Sequence, residues 1–566
     1  MRIVSWRLVK ISLLCIAPII SGVAQASDST QQNDAFSIYR WMISQSNNLD
    51  SQPVEKIGFS VAGDLNVPNT TQLNVQPPGV GEGQVRGKWL SCESTSDPIC
   101  GLKPPNENTK NLDLLSWSVL PTCKSEVSEN CIEGLEISHG GAGFTPASLI
   151  RSLDYPSVPA DSELNFIGGG TASLWHDKTN LSINPLNYLT NVQYGMHFNH
   201  LLKLFEITDF NVSIQPYREI SGDYQKPYWQ DFDGTKALVG SSAFPSGQIW
   251  FETGKAGMKM DFPENTTLRL KARVSNLLTG WFKGRLKDPQ ISIIPISKTN
   301  NLLTIEANPV TVPSFLAVKD KQLLTAKESM WRQNNGGYEL GRKGGSDFLT
   351  FPTPYQSDVF EYIDHFRPMV GDKVAGTNSY WSLNSTNWGN SNPCLTDKNR
   401  VLGIVTTNAI GYSGASPRYE DSSLVYQVAG MHFLPDGKNL VEGTYDLLIR
   451  SEAARCLYGF SNAPVQATIS ITGEESSRAT TTSMVERDGW IKFSAYGFSF
   501  SSPTIKIRLS QPNDQLQKAN SSSSVASSSV ASSSVAKKIS ITCVKGKVSK
   551  NVTGINPKCP TGYKKK

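Results

Sequence analysis

The sequence predicts a mainly β chain: two antiparallel β-sandwich-like domains with short helical insertions, then a Ser-rich stalk and a small terminal module. Three observations carry this. The first is period-two alternation. Leu268, Leu270, Ala272 and Val274 alternate with Arg269, Lys271 and Arg273; the rhythm recurs at Val465, Ala467, Ile469 and Ile471, and at Ile505, Ile507 and Leu509 beside Lys506 and Arg508. Side chains on a strand point to opposite faces in turn, so each run has one dry and one wet face. The second is punctuation, since 45 glycines and 32 prolines cut the chain into short runs. The third is how little is helical. Thr145-Pro146 before Ala147, Leu149, Ile150 and Leu153 reads as a short helix with Thr145 as N-cap. Asp358 to Met369 carries Val359, Phe360, Ile363 and Phe366 at helical spacing and reads as a second.

In chain order, the first 26 residues have the layout of a secretory signal peptide. Arg2, Arg7 and Lys10 precede the 13-residue run Ile11 to Val23 and the small-x-small triplet Ala24-Gln25-Ala26. That run, broken by Pro18 and Gly22, falls short of the roughly 20 apolar residues a bilayer requires. The expected location is therefore secreted, extracellular or cell-surface associated, with no transmembrane segment in the mature chain. Residues 27–52 form an N-terminal segment and 53–330 the first β-rich domain. Residues 331–347 read as a linker, with Gly336, Gly337, Gly341, Gly344 and Gly345 among polar residues, and 348–512 as the second β-rich domain. The stalk, 513–536, contains Ser-Ser-Ser-Val-Ala repeated every five residues, too poor in large apolar groups to offset the entropy of ordering. The terminal module is 537–566.

Charge divides unevenly along this plan. The tail holds nine lysines and no acid: Lys537, Lys538, Lys545, Lys547, Lys550, Lys558, Lys564, Lys565 and Lys566. With these and the three basic residues of the leader set apart, the formal charge of +5 falls to −7 for residues 27–536. A polycation on a stalk is suited to an anionic envelope polymer or lipid surface. Nucleic acid is not the expected partner of an exported chain.

Nine cysteines include Cys15, which leaves with the leader, and the other eight fall into near neighbours: Cys92-Cys100, Cys123-Cys131, Cys394-Cys456 and Cys543-Cys559. Eight cysteines allow 105 connectivities, so this pairing is the expectation of a nearest-neighbour rule in an oxidising compartment.

Motifs for chemistry are sparse. His139-Gly140-Gly141 has the form of an oxyanion loop, but no Gly-x-Ser-x-Gly elbow accompanies it. His197 and His200 are spaced as a helical metal pair yet sit in a strand-like run, and Asp231-x-Asp233-Gly234 is a fragment of a calcium loop without its remaining ligands. Gly168-Gly169-Gly170 has no lysine and is not a phosphate loop. Asp358, Glu361 and Asp364 read as a charged helix face. No catalytic residue, metal or cofactor is assigned. Sugar rings stack on exposed aromatics, which makes Trp229, Trp381 and Trp388 the ligand-binding candidates and a glycan the possible ligand. The competing reading has Trp381 and Trp388 plugging a sandwich core near Cys394.

The tail run Ile541-Thr542-Cys543-Val544-Lys545-Gly546-Lys547, with Asn556-Pro557-Lys558-Cys559-Pro560 and Gly562-Tyr563-Lys564-Lys565-Lys566, resembles a C-terminal module of exported actinobacterial proteins. Ala454-Arg455-Cys456-Leu457-Tyr458-Gly459-Phe460-Ser461 with Asp488-Gly489-Trp490 is similar to a domain of uncharacterised secreted proteins of that group. The resemblance implies a surface location and brings no catalytic residues. The expected function is a cell-surface binding or structural protein held at the envelope by its tail; the alternative is a secreted polysaccharide hydrolase with unidentified carboxylates.

Overall fold

The computed structural model describes residues 56 to 511, apart from several stretches of which the longest are 77–89, 103–112, 240–249 and 473–480, together with 539–545, 548–554 and 564–565. The expected leader, the 27–52 segment and the Ser-rich stalk lie outside the described residues. The chain forms two compact units, Met1–Ser510 and Gln511–Lys566.

The first unit is mainly β and is organised by one 16-stranded sheet. Along its main path the strands run Leu90–Cys92, Gln72–Gln76, Asp113–Val119, Asn187–Asn199, Leu204–Ser221, Gly376–Thr386, Gly280–Arg285, Val401–Thr407, Gly443–Arg450, Trp490–Phe498 and Thr481–Arg487. Neighbours on this path are antiparallel except Gly280–Arg285 with Val401–Thr407, which is parallel.

Two cores form against this sheet. In one, Val192, Tyr194, Val212, Ile214, Trp381 and Leu383 pack with Leu135, Ile137, Leu268, Leu270 and Ile305 of a five-stranded sheet. In the other, Tyr445, Leu447, Ile449, Ile491 and Phe493 pack with Leu424, Tyr426, Ile505 and Ile507 of a second five-stranded sheet and with the helix Val359–Phe366. The alternating strands deliver what period two promised: Thr266–Ser275 buries every second residue from Thr266, and Thr504–Ser510 buries Ile505, Ile507 and Leu509.

The boundary expected at 331–347 does not divide these cores. Gly376–Thr386, assigned to the second domain, lies between Leu204–Ser221 and Gly280–Arg285 of the first. Trp381 and Leu383 supply apolar surface that the first core needs, so the strand is held where burying them stabilises most. The expected linker also begins in a helix, Ala326–Asn334, whose Trp331 is fully buried. Its start is a capping box: Glu328 N–H donates to Thr325 Oγ1 (3.2 Å) and Thr325 N–H donates to Glu328 Oε2 (2.7 Å).

Of the two expected helices, Val359–Phe366 is present and buries Val359, Tyr362, Ile363 and Phe366, one face of a 3.6-residue repeat. The other is replaced by strands Thr145–Pro146 and Ser148–Ser152. A helix that short is marginal by itself. Pairing of Ile137 with Thr145 and of Ser152 with Ser173 gives the backbone its partners instead.

Three expected disulfides are formed, Cys92–Cys100, Cys123–Cys131 and Cys394–Cys456, with Cα separations of 6.1, 5.0 and 5.6 Å. In the second unit Ile539–Lys545 pairs antiparallel with Val548–Gly554 and with Lys564–Lys565, placing Lys545, Lys550, Lys564 and Lys565 on strands. Lys537, Lys538, Lys547, Lys558, Lys566 and the expected Cys543–Cys559 bridge, through Cys559, lie outside the described residues. No helix among the described residues is long and apolar enough to cross a membrane.

Candidate functional site

Four adjacent strands of the large sheet carry apolar residues toward the first core and polar ones on the reverse face. The register sets the polar side chains in rows. Gln193, Asn211, Asn384 and Lys283 are successive cross-strand partners, as are Asn191, Ser213, Ser382 and Arg285. Gln215 stands one step along, opposite Leu189. A solvated sheet face would explain such a pattern, yet this one is buried. Gln193, Gln215 and Ser382 have no accessible surface, Asn191 and Ser213 have 1%, and Lys283, Arg285 and Asn384 are buried too.

Some of these groups are satisfied. Asn384 Nδ2 donates to Asn211 Oδ1 (2.5 Å), and Asn191 Nδ2 donates to Pro68 O (2.8 Å) and Asn69 Oδ1 (3.2 Å). Arg285 Nη1 donates to Thr407 O (3.0 Å) and Ala409 O (2.5 Å), and Lys283 Nζ lies 3.8 Å from the Tyr355 ring centre. Others are not. Both amide atoms of Gln193, both of Gln215, Asn191 Oδ1, Asn384 Oδ1 and Ser382 Oγ have no hydrogen-bond partner among the described residues. An unmet buried polar atom costs about 1–3 kcal/mol, so a partner that met these groups would be bound favourably. Two full carboxamides, each with two donors and an acceptor, are suited to hydroxyl groups or ordered water. At the margin Trp117 is half-buried opposite Gly195.

The three tryptophans expected to stack on sugar fare differently. Trp381 is not exposed at all: its ring lies in the first core and its indole N–H donates to Ala307 O (3.0 Å). Alternation is the reason, because Trp381 points to the dry face while its neighbours Ser382 and Asn384 point to the polar rows. Trp229 is half-buried on the hairpin Tyr228–Phe232 with Thr235–Val239, away from the rows in sequence and pairing. Trp388 lies outside the described residues, as do Asp233 and Gly234 of the calcium-like fragment.

Other polar clusters are closed. His139 Nε2 lies 2.7 Å from Asp177 Oδ2 and its Nδ1 lies 3.2 Å from Thr266 Oγ1, a chain of groups in the order of a catalytic triad. Burial opposes ionisation of Asp177, but hydrogen bonds from Thr179 and His139 outweigh it and hold the carboxyl below its usual range. Thr266 is the cross-strand partner of His139 and is 2% exposed, so its hydroxyl is not presented to a substrate. Burial pushes the Asp446 carboxyl up; Ser494 Oγ (2.5 Å), Tyr496 Oη (2.7 Å) and Asp288 N–H (3.1 Å) donate to it. His197 lies within the strand Asn187–Asn199 and His200 in the turn after it, so the pair lacks the helical geometry a metal would need. Among the described residues no group of three or more His, Cys, Asp or Glu is placed to hold a metal ion.

No protein-family model matches the chain, and no curated protein matches it.

Proposed function

We propose that the chain is an exported cell-surface binding protein whose ligand is rich in hydroxyl groups, a glycan, and that its basic tail retains it at an anionic envelope. The observation that supports binding is the pair of buried carboxamides at Gln193 and Gln215, without a hydrogen-bond partner among the described residues and flanked by Asn191, Ser382 and Asn384. Carboxamides offer donors and acceptors together, which is what a sugar hydroxyl requires, and a half-buried Trp117 beside them offers an apolar ring. Retention rests on the nine lysines of 537–566. Such binding is sensitive to salt, since the screening length shortens from about 8 Å at physiological strength to about 3 Å at 1 M.

Two measurements test the two halves. The protein and a Gln193→Met/Gln215→Met variant are titrated against envelope polysaccharide fractions by calorimetry. Saturable binding weakened at least tenfold in the variant supports the part given to the two carboxamides, and equal binding overturns it. Deleting 537–566 abolishes the part of envelope retention that 1 M salt removes; a salt-sensitive part that survives the deletion overturns the tail reading. The hydrolase alternative requires two carboxyl groups roughly 5–10 Å apart across a cleft. It predicts new reducing ends on incubation with the bound polysaccharide, where the binding reading predicts none.

A further inference from the structure

Two of the strands that carry the polar rows, Asn187–Asn199 and Leu204–Ser221, are the longest among the described residues and meet in a turn at 200–203. Its side chains face outward. Leu201 is 94% exposed, Leu202 58% and Leu204 36%, beside exposed Lys203. Just below, Phe198 and Phe205 meet edge to face at 5.1 Å and end the core. A single exposed leucine is ordinary; three within four residues on one convex tip are not.

The turn is held in place. Asn199 Oδ1 accepts the N–H groups of Leu201 (3.0 Å) and Leu202 (3.1 Å), and Asn199 O accepts that of Lys203 (2.7 Å). Asn199 Nδ2 donates to Glu206 Oε2 (2.9 Å), and Lys203 has a left-handed φ of 56°. These backbone donors at the tip are therefore met within the turn, which is what a segment must achieve before it leaves water for hydrocarbon. A loop that recruits a peptide by strand addition leaves such donors open. A protein partner would also have to supply a pocket shaped to a convex knob, whereas a bilayer imposes no shape. Lys203 has a stem long enough to keep its ammonium at headgroup level while the leucines beside it enter.

We propose that Leu201, Leu202 and Leu204 form a lipid-inserting tip, so that the unit Met1–Ser510 contacts a bilayer through apolar burial, independently of the lysine tail and of the ligand at the polar rows. Six residues of strand separate Asn199 from Gln193. At about 3.3 Å per residue, that holds the rows some 20 Å from the surface.

The test is flotation of the full chain with zwitterionic phosphatidylcholine vesicles in 1 M salt, where the tail's attraction is screened. The protein is expected to float. Leu201→Asp/Leu202→Asp should reduce the bound fraction at least tenfold while circular dichroism and the melting temperature stay unchanged, and Leu201→Met/Leu202→Met should retain binding. Binding to anionic vesicles at low salt alone, or equal flotation of the Asp variant, would overturn the tip while leaving the tail reading intact.

Discussion

Replacing Gln193 and Gln215 with methionine removes polar atoms that have no partner among the described residues while keeping the side-chain volume. Leaving a buried amide unmet costs about 1–3 kcal/mol, so each substitution in the ligand-free protein is expected to stabilise by about that amount. The two side chains do not face each other. Gln193 pairs with Asn211 and Gln215 with Leu189, four residues apart along one strand, or about 13 Å. Effects at that distance add, and the double variant should gain about 2–6 kcal/mol. Urea denaturation followed by tryptophan fluorescence measures this as a rise in midpoint at constant slope. If either variant loses stability, its glutamine is hydrogen-bonded in the native state, and the inference that its carboxamide is free to meet a ligand fails.

Glu328 contributes to the acid limb of stability. Burial opposes its ionisation, but hydrogen bonds from His365, Lys319 and Thr325 outweigh it and hold the carboxyl at about 2, against an ordinary 4.5. A depressed carboxylate stabilises fully above its unfolded value and loses that contribution as pH falls through the folded one. About 3 kcal/mol should therefore disappear between roughly pH 5 and pH 2. Glu328→Gln should flatten that limb of the denaturation profile; a wild-type slope in the variant would refute the assignment. The Cys394–Cys456 bridge joins the 3-10 turn Pro393–Leu395 to the helix Ser451–Tyr458 across 62 residues. Cys394→Ser should cost about 2–4 kcal/mol and leave Cys456 reactive to a thiol probe. A Cys456 that stays blocked in that variant would mean it pairs elsewhere.

The strands were legible wherever one face was dry, as at Leu268 to Val274 and Ile505 to Leu509, because period two is a local property of the chain. Near-neighbour cysteines were legible for the same reason. What escaped was long-range. Nothing local shows that Gly376–Thr386 inserts between strands from the first half of the chain, so the reading of two separate domains placed its boundary inside a shared sheet. The polar rows were hidden by the same rule that revealed the strands. Asn191 and Gln193, Ser213 and Gln215, and Ser382 and Asn384 alternate with large apolar residues and read as a wet face, and only the fold shows that face buried. Within Gly376–Thr386 the ring of Trp381 turns inward, while Ser382 and Asn384 reach the rows, a difference of facing that depends on which side of the sheet is the core.

The central claim is that the carboxamides of Gln193 and Gln215 meet a hydroxyl-rich ligand. Their side-chain amide resonances, assigned by single Gln→Met substitutions in protein labelled with nitrogen-15, report on this directly. On titration with the envelope polysaccharide both NH₂ pairs should shift together and saturate at one stoichiometry, with slowed hydrogen exchange. Resonances that stay fixed while binding is seen elsewhere in the spectrum would place the ligand at another site and contradict the account.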